Sequence, residues 1–128
     1  PPDFDGNRPS GNNLIDLFAY LIRKYGRMDT SEYARIMQLK TSELRGAILA
    51  IGGMSAMEWR NRYLLLEAQE LMERTDMSIT EIAAKLGFSQ PSVFSKFFRT
   101  LTKSQPWEWR IEKKKPGSNR KRTYHCYE

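Results

Sequence analysis

The chain has 128 residues, 40% of them hydrophobic, enough for one compact core or two very small ones, and no run approaches the roughly 18 apolar residues that span a bilayer. A formal charge of +6 and a pI near 9.6 ask for an acidic partner, and the excess sits at one end: residues 77–128 hold eleven basic and four acidic groups, whereas residues 1–76 hold ten and eleven. The single cysteine, Cys126, excludes an internal disulfide, and with no signal or transit segment apparent a soluble, cytoplasmic protein is expected.

Residues 1–13 (PPDFDGNRPSGNN), rich in Pro, Gly and Asn, read as a linker or disordered lead-in, and a start at Pro rather than Met leads us to expect a trimmed chain or a piece of a longer one. Leu14, Leu17, Phe18, Leu21, Ile22 and Tyr25 then recur at helical spacing and predict an amphipathic helix over 13–25, stopped by Gly26. Asp29 followed by Glu32 reads as an N-cap pair opening a short helix over 30–37, and the next helix is expected over 42–50.

Ser55 with Glu58 fits a further capping box, and the absence of Gly and Pro over 56–74 predicts one long helix. Nineteen residues at 1.5 Å each give it roughly 28 Å. Ser78 with Glu81 opens a short helix over 79–86, and a helix over 90–101 follows Gly87, its Pro91 sitting in a first turn where an amide has no intrahelical partner to lose. The expected organisation is a first unit over 14–54, a linker helix over 55–75, a second unit over 76–111 and a basic tail over 112–128, with about seven or eight helices in all.

The second unit repeats the first. Met28–Leu39 matches Met77–Phe88 at a spacing of 49, and Ser42–Arg60 matches Ser92–Arg110 at 50, one residue having slipped in the turn. Glu32 falls on Glu81, Ala34 on Ala83, Leu39 on Phe88, Leu44 on Phe94, Ile48 on Phe98, and Glu58, Trp59 and Arg60 on Glu108, Trp109 and Arg110. Two similar supersecondary units are therefore expected, each a helix, a turn and a second helix. In the second unit the exposed face of that last helix is basic and hydroxylated, which is the layout of a DNA reader.

GFSQPSVFSKFFR, followed by Pro106 and the Trp-Glu-Trp-Arg of 107–110, resembles the second helix-turn-helix of AraC/XylS-type transcription regulators. The resemblance covers about residues 28–110, with Ala68, Leu71 and Met72 on the linker's small and apolar positions. It implies an all-α fold of two helix-turn-helix subdomains joined by a linker helix, which binds specific double-stranded DNA sequences and regulates transcription. It assigns Ala83, Gly87, Phe88, Phe94, Phe98 and Pro106 to the scaffold and places Gln90, Pro91, Ser92, Ser95, Lys96 and Arg99 on the exposed recognition helix. Of these, Gln90, Ser92 and Lys96 are expected at base edges or nearby phosphates and Arg99 at a phosphate, since Gln pairs with adenine, Lys with guanine acceptors and Ser with either base or backbone.

The first unit departs from the family pattern. Gln38 stands at the turn glycine, Lys40 at the turn serine and Gly46 where a basic residue is common, while Lys103 and Leu64 replace an expected Gly and an expected linker Arg. Weaker DNA contact is expected there, through Thr41, Ser42 and Arg45, with Lys40 at a phosphate. By the resemblance, the helices over 42–50 and 90–101 enter successive major-groove segments, which repeat at ~34 Å, and the differing units ask for two unlike half-sites.

Blander readings settle the other candidates. Phe88, Phe94, Phe97, Phe98, Trp107 and Trp109 sit at helix-packing spacing and read as core rather than as a stacking platform. Glu58 and Glu108 read as caps or surface ion pairs rather than as a catalytic carboxylate pair. His125 and Cys126, the only residues of their kinds, cannot complete a four-coordinate zinc site, and no nucleophile, base and orienter set is visible, so neither an enzyme nor a cofactor is expected. Lys113, Lys114, Lys115, Arg120, Lys121 and Arg122 form either a solvated charge run or an arm that neutralises phosphates. A second reading gives DNA to the second unit alone and makes the first a docking module for a sensor or dimerisation domain, or for RNA polymerase.

Overall fold

A computed structural model describes residues 12–114. They form seven helices, α1 (Asn12–Tyr25), α2 (Thr30–Ile36), α3 (Thr41–Gly52), α4 (Ala56–Arg74), α5 (Ile79–Lys85), α6 (Pro91–Thr102) and α7 (Pro106–Lys114), with no strand among the described residues. The fold is all-α, as expected, and α4 has the predicted bounds; α3 runs two residues further, to Gly52. The basic tail expected from residue 112 begins inside α7, which continues to Lys114. Lys115, Arg120, Lys121, Arg122, His125, Cys126 and the lead-in up to residue 11 lie outside the described residues.

The chain divides into two compact units between Leu64 and Leu65, inside α4, so each unit owns half of the linker helix. In the first unit α3 packs on α2 and α1. Its core is Leu14, Leu17, Phe18, Leu21 and Ile22 of α1, Tyr33 and Ala34 of α2, Leu44 and Ile48 of α3, and Leu64 of α4. Phe18 meets Tyr33 edge to face at 5.3 Å. The buried Tyr33 hydroxyl donates to the Gly26 carbonyl and accepts from the Met28 amide at 3.1 Å. Burial pushes this phenol above its ordinary pKa.

In the second unit α6 packs on α5 and α7 around Leu65, Ala68, Met72, Ile82, Ala83, Phe94, Phe98, Leu101 and Trp109. There a threonine does the work of Tyr33: Thr75 Oγ1 donates to the Leu71 carbonyl at 2.6 Å and accepts from the Met77 amide at 3.2 Å. The repeat-related arginines close both units alike. Arg60 donates to the Met28 carbonyl at 2.8 Å, and Arg110 to the carbonyls of Met72 and Thr75, each at 2.9 Å. Each guanidinium thereby fixes the loop that leads into its unit's first short helix.

Two expectations need correction. Asp29 occupies the N-cap of α2 but its side chain makes no capping bond; its carbonyl accepts from the Glu32 amide at 2.9 Å instead. Trp107, expected in the core, is 58% exposed, because on a helix it points nearly opposite to Trp109, the buried residue two positions on. The remaining caps form as read. Ser78 Oγ accepts from the Glu81 amide at 3.0 Å while Glu81 accepts from the Ser78 amide at 2.8 Å, and Ser55 with Glu58 repeats the pair at 3.1 and 3.3 Å. Those bonds from Ser78 hold the Glu81 carboxyl below its usual pKa. Glu108 accepts from the Gln105 amide at 3.3 Å, the same N-terminal role that Glu58 takes toward the Ser55 amide.

The turns between short and long helices are one structure written twice. In the first, the amides of Leu39 and Gln38 bond the carbonyls of Ala34 and Arg35 at 2.9 and 3.1 Å; in the second, those of Phe88 and Gly87 bond Ala83 and Ala84 at 3.0 and 3.1 Å. Both are Schellman motifs, which need a left-handed residue at their centre. Gly87 supplies it at φ 87°, and Gln38 is forced to φ 60°. Helices α3 and α6 mirror this, ending at Gly53 with φ 74° and Lys103 with φ 66°.

The left-handed conformation costs a residue with a Cβ about 1–2 kcal/mol. Gly87→Ala is therefore expected to lower the second unit's stability by about 1 kcal/mol, whereas Gln38→Gly raises the first's by a fraction of that, the more flexible unfolded chain taking back part of the relief. Urea midpoints of the two variants read the opposite signs.

Candidate nucleic-acid interface

Each unit presents the helix that follows its turn. On α6, Phe94, Phe98, Leu101 and Thr102 are buried, which fixes the rotation of the helix about its axis. Phe94 stands 5.2 Å from Phe88 and 6.0 Å from Phe98, and Phe98 meets Trp109 edge to face at 5.9 Å. That ring stack leaves Ser92, Lys96, Arg99 and Thr100 on the outward side and exposed, with Gln90 and Pro91 exposed at the N-terminal end and Ser95 half-buried on the flank. All six residues expected on this helix therefore lie along one end and side of it.

The electrostatics of this face are simple. The helix contains Lys96 and Arg99 and no acidic residue, and its N-terminus opens with Pro91 at N1 behind an extended Gln90. No ion pair engages Lys96 or Arg99 among the described residues. The Val93 and Phe94 amides bond the Gln90 carbonyl at 3.1 and 3.3 Å, so the attraction of this face for polyanions rests on its two cations and the positive end of the helix dipole. Thr100, which the sequence reading passed over, lies on the same side, its hydroxyl bonded back to the Lys96 carbonyl at 2.7 Å.

On α3, Leu44 and Ile48 are buried and set the equivalent rotation. Lys40, Ser42 and Arg45 are exposed and Thr41 is half-buried, so the four expected residues share the N-terminal end and side of the helix. The Lys40 amide donates to Glu43 Oε1 at 2.8 Å, closing the first turn. Further along, the outward side turns neutral. At the spacing of 50, Gly46 takes the place of Lys96, Leu49 that of Arg99 and Ala50 that of Thr100, and all three are exposed. Leu49 was missed by the sequence reading, although the repeat register alone places it there.

The tail lysines within the described residues are less available. Lys113 is half-buried, and the Lys114 ammonium lies 3.4 Å from the Thr75 carbonyl and 3.9 Å from the Asp76 carboxylate. No helix among the described residues is long and apolar enough to cross a membrane.

Residues 33–111 match the helix-turn-helix domain family. The regulatory protein PocR of Salmonella typhimurium is 41% identical over 58 residues, which are 45% of this chain and 19% of that protein, so the chain spans about a fifth of the length of this curated relative. Solved structures share the fold. The DNA-binding domain of AdpA, a global transcriptional factor in complex with a target DNA, superposes with a TM-score of 0.72 at 22% identity over 84% of this chain and all (100%) of that one. The C-terminal domain of AraT, a response regulator from Geobacillus stearothermophilus, gives 0.72 at 20% over 95% and 100%. A transcriptional regulator from Chromobacterium violaceum, of AraC-type DNA-binding proteins, gives 0.69 at 22% over 81% and 95%.

Proposed function

Because this chain belongs to the helix-turn-helix family of the AraC type, we propose that it binds specific double-stranded DNA sequences and regulates transcription, laying α6 in one major-groove segment and α3 in another. The observation that carries the reading is the doubled turn. Two Schellman turns with matched hydrogen bonds, one of them built on a strained Gln38, hold α3 and α6 in like relation to α2 and α5. Strain kept in the first turn marks a geometry that this unit needs.

On α6, Lys96 and Gln90 read bases, Ser92 and Ser95 bridge base edges and backbone, Pro91 starts the helix, and Arg99 holds a phosphate. On α3, Thr41, Ser42 and Arg45 contact base edges and backbone, with Lys40 at a phosphate. Lys113 and Lys114, with Lys115, Arg120, Lys121 and Arg122 beyond them, add phosphate contacts that carry no sequence information. Since the two faces differ at every charged position, the operator consists of two unlike half-sites. The chain works without a resident cofactor, in the cytoplasm, and receives any signal through a sensor or dimerisation domain or through RNA polymerase.

The test is the length of the protected site. A duplex selected from a random pool by the full chain is expected to show a hydroxyl-radical footprint of about 20 base pairs, two helical turns, without palindromic symmetry. Protection of a single turn would leave α6 as the only reader and overturn the two-helix mechanism.

A further inference from the structure

We propose that α3 recognises a thymine in its half-site by apolar contact, the C5 methyl group of the base resting against the Leu49 side chain and the bare backbone at Gly46. This rests on the reading that α3 enters a major groove, and it adds the chemistry recognised there. Along the outward side α6 carries Ser92, Lys96, Arg99 and Thr100; α3 in the same register carries Ser42, Gly46, Leu49 and Ala50. Three of those four on α3 offer no hydrogen-bond donor or acceptor from a side chain. Leu49 is 58% exposed, a large apolar group held out on the very side that its counterpart uses for a cation.

Gly46 has no role in packing. A Cβ there would meet nothing within 4 Å, and its backbone is helical, so neither space nor dihedral angle requires a glycine that costs about 0.5–1 kcal/mol relative to Ala. What the missing side chain provides is a notch at the centre of the outward side, flanked by Leu49 and Ala50. The apolar surface continues past Leu49 into a shallow hollow shared with Ala56 and Met57. Among the base edges in the major groove, only thymine presents an apolar group, and the methyl is of the size to enter such a notch. Arg45 and Lys40, exposed at the helix's start, supply the phosphate contacts that keep so neutral a face on the duplex.

Replacing thymine by uracil deletes the methyl and nothing else. With a duplex selected by the full chain, each thymine of the α3 half is changed to uracil in turn, the α6 half being identified by its sensitivity to Lys96→Ala. The native chain is expected to lose about fourfold in affinity at one or two positions, the worth of one buried methyl group. Leu49→Ala, at an exposed site that leaves folding intact, is expected to bind the thymine duplex about as weakly as the native chain binds the uracil one, and to be indifferent to the change. Neutral uracil at every position, or a Leu49→Ala chain as sensitive as the native, overturns the thymine contact while a two-turn footprint keeps the underlying reading. A one-turn footprint, or indifference to whole base-pair replacements in the α3 half, overturns both.

Discussion

Phe98→Ala is expected to lower the stability of the second unit by about 3–5 kcal/mol, the cost of removing a fully buried aromatic side chain and leaving a cavity. Phe98 joins α6 to α7: its ring stands 6.0 Å from Phe94 on its own helix and 5.9 Å from Trp109, edge to face. Trp109 precedes Arg110, whose two bonds to the Met72 and Thr75 carbonyls fix the loop before α5, so the damage is carried through the whole unit. A small domain has only about 5–15 kcal/mol in all, and such a loss brings it near the unfolding threshold. Hydrogen exchange resolved along the chain provides the check. Faster exchange is expected in α5, α6 and α7, with α2 and α3 keeping native protection, because the first unit draws its aromatic bulk from Phe18 and Tyr33. Unchanged exchange in α6 would show that the ring stack does not orient that helix.

Most of this architecture is written in local signals. Capping pairs such as Ser78 with Glu81, the uninterrupted stretch of α4 and the repeat spacings of 49 and 50 are each short-range features, and they place helices and turns closely. The misses are tertiary. Tyr33 and Thr75 satisfy equivalent loop amides by different hydroxyls from different positions, a substitution that no alignment of the two repeats reveals. Trp107 belongs to an aromatic set whose helix-packing spacing reads as core, yet rotation about α7 buries Trp109 and places Trp107 outside. Gln38 is the instructive case. Its identity argues against a turn that wants glycine, yet the hydrogen bonds of that turn form around it at φ 60°, because Leu39 and the α2 carbonyls determine the chain's path more strongly than one residue's preference. The outward side of α6 was legible because burial of Phe94 and Phe98 dictates it; that of α3 was only half legible, because an exposed Leu49 looks like nothing until the repeat register aligns it with Arg99.

Lys96→Ala is expected to weaken binding to the selected site by about 1–3 kcal/mol, a factor of roughly 5 to 150, while affinity for random duplex falls far less. The asymmetry follows from position. Lys96 lies at the middle of the outward side, exposed and with no carboxylate partner among the described residues, and on the proposed reading its ammonium meets the guanine acceptors at the floor of the groove. On the proposed reading the long Arg99 side chain, near the C-terminal end of α6, reaches past the base edges to a phosphate, whereas the shorter Leu49 in the same register on α3 stops at them. Arg99→Ala is accordingly expected to weaken specific and random DNA alike and to reduce the slope of log affinity against log salt by about one. Titrations of both variants against both duplexes, repeated over a range of salt, separate the roles: Lys96 changes the ratio between the two affinities, and Arg99 changes the slope. Equal losses on both duplexes from Lys96→Ala would move Lys96 from the bases to the backbone. Specificity would then fall to Gln90 and Ser92 at the helix's start, and the sharper discrimination between the half-sites would have to come from the apolar side of α3.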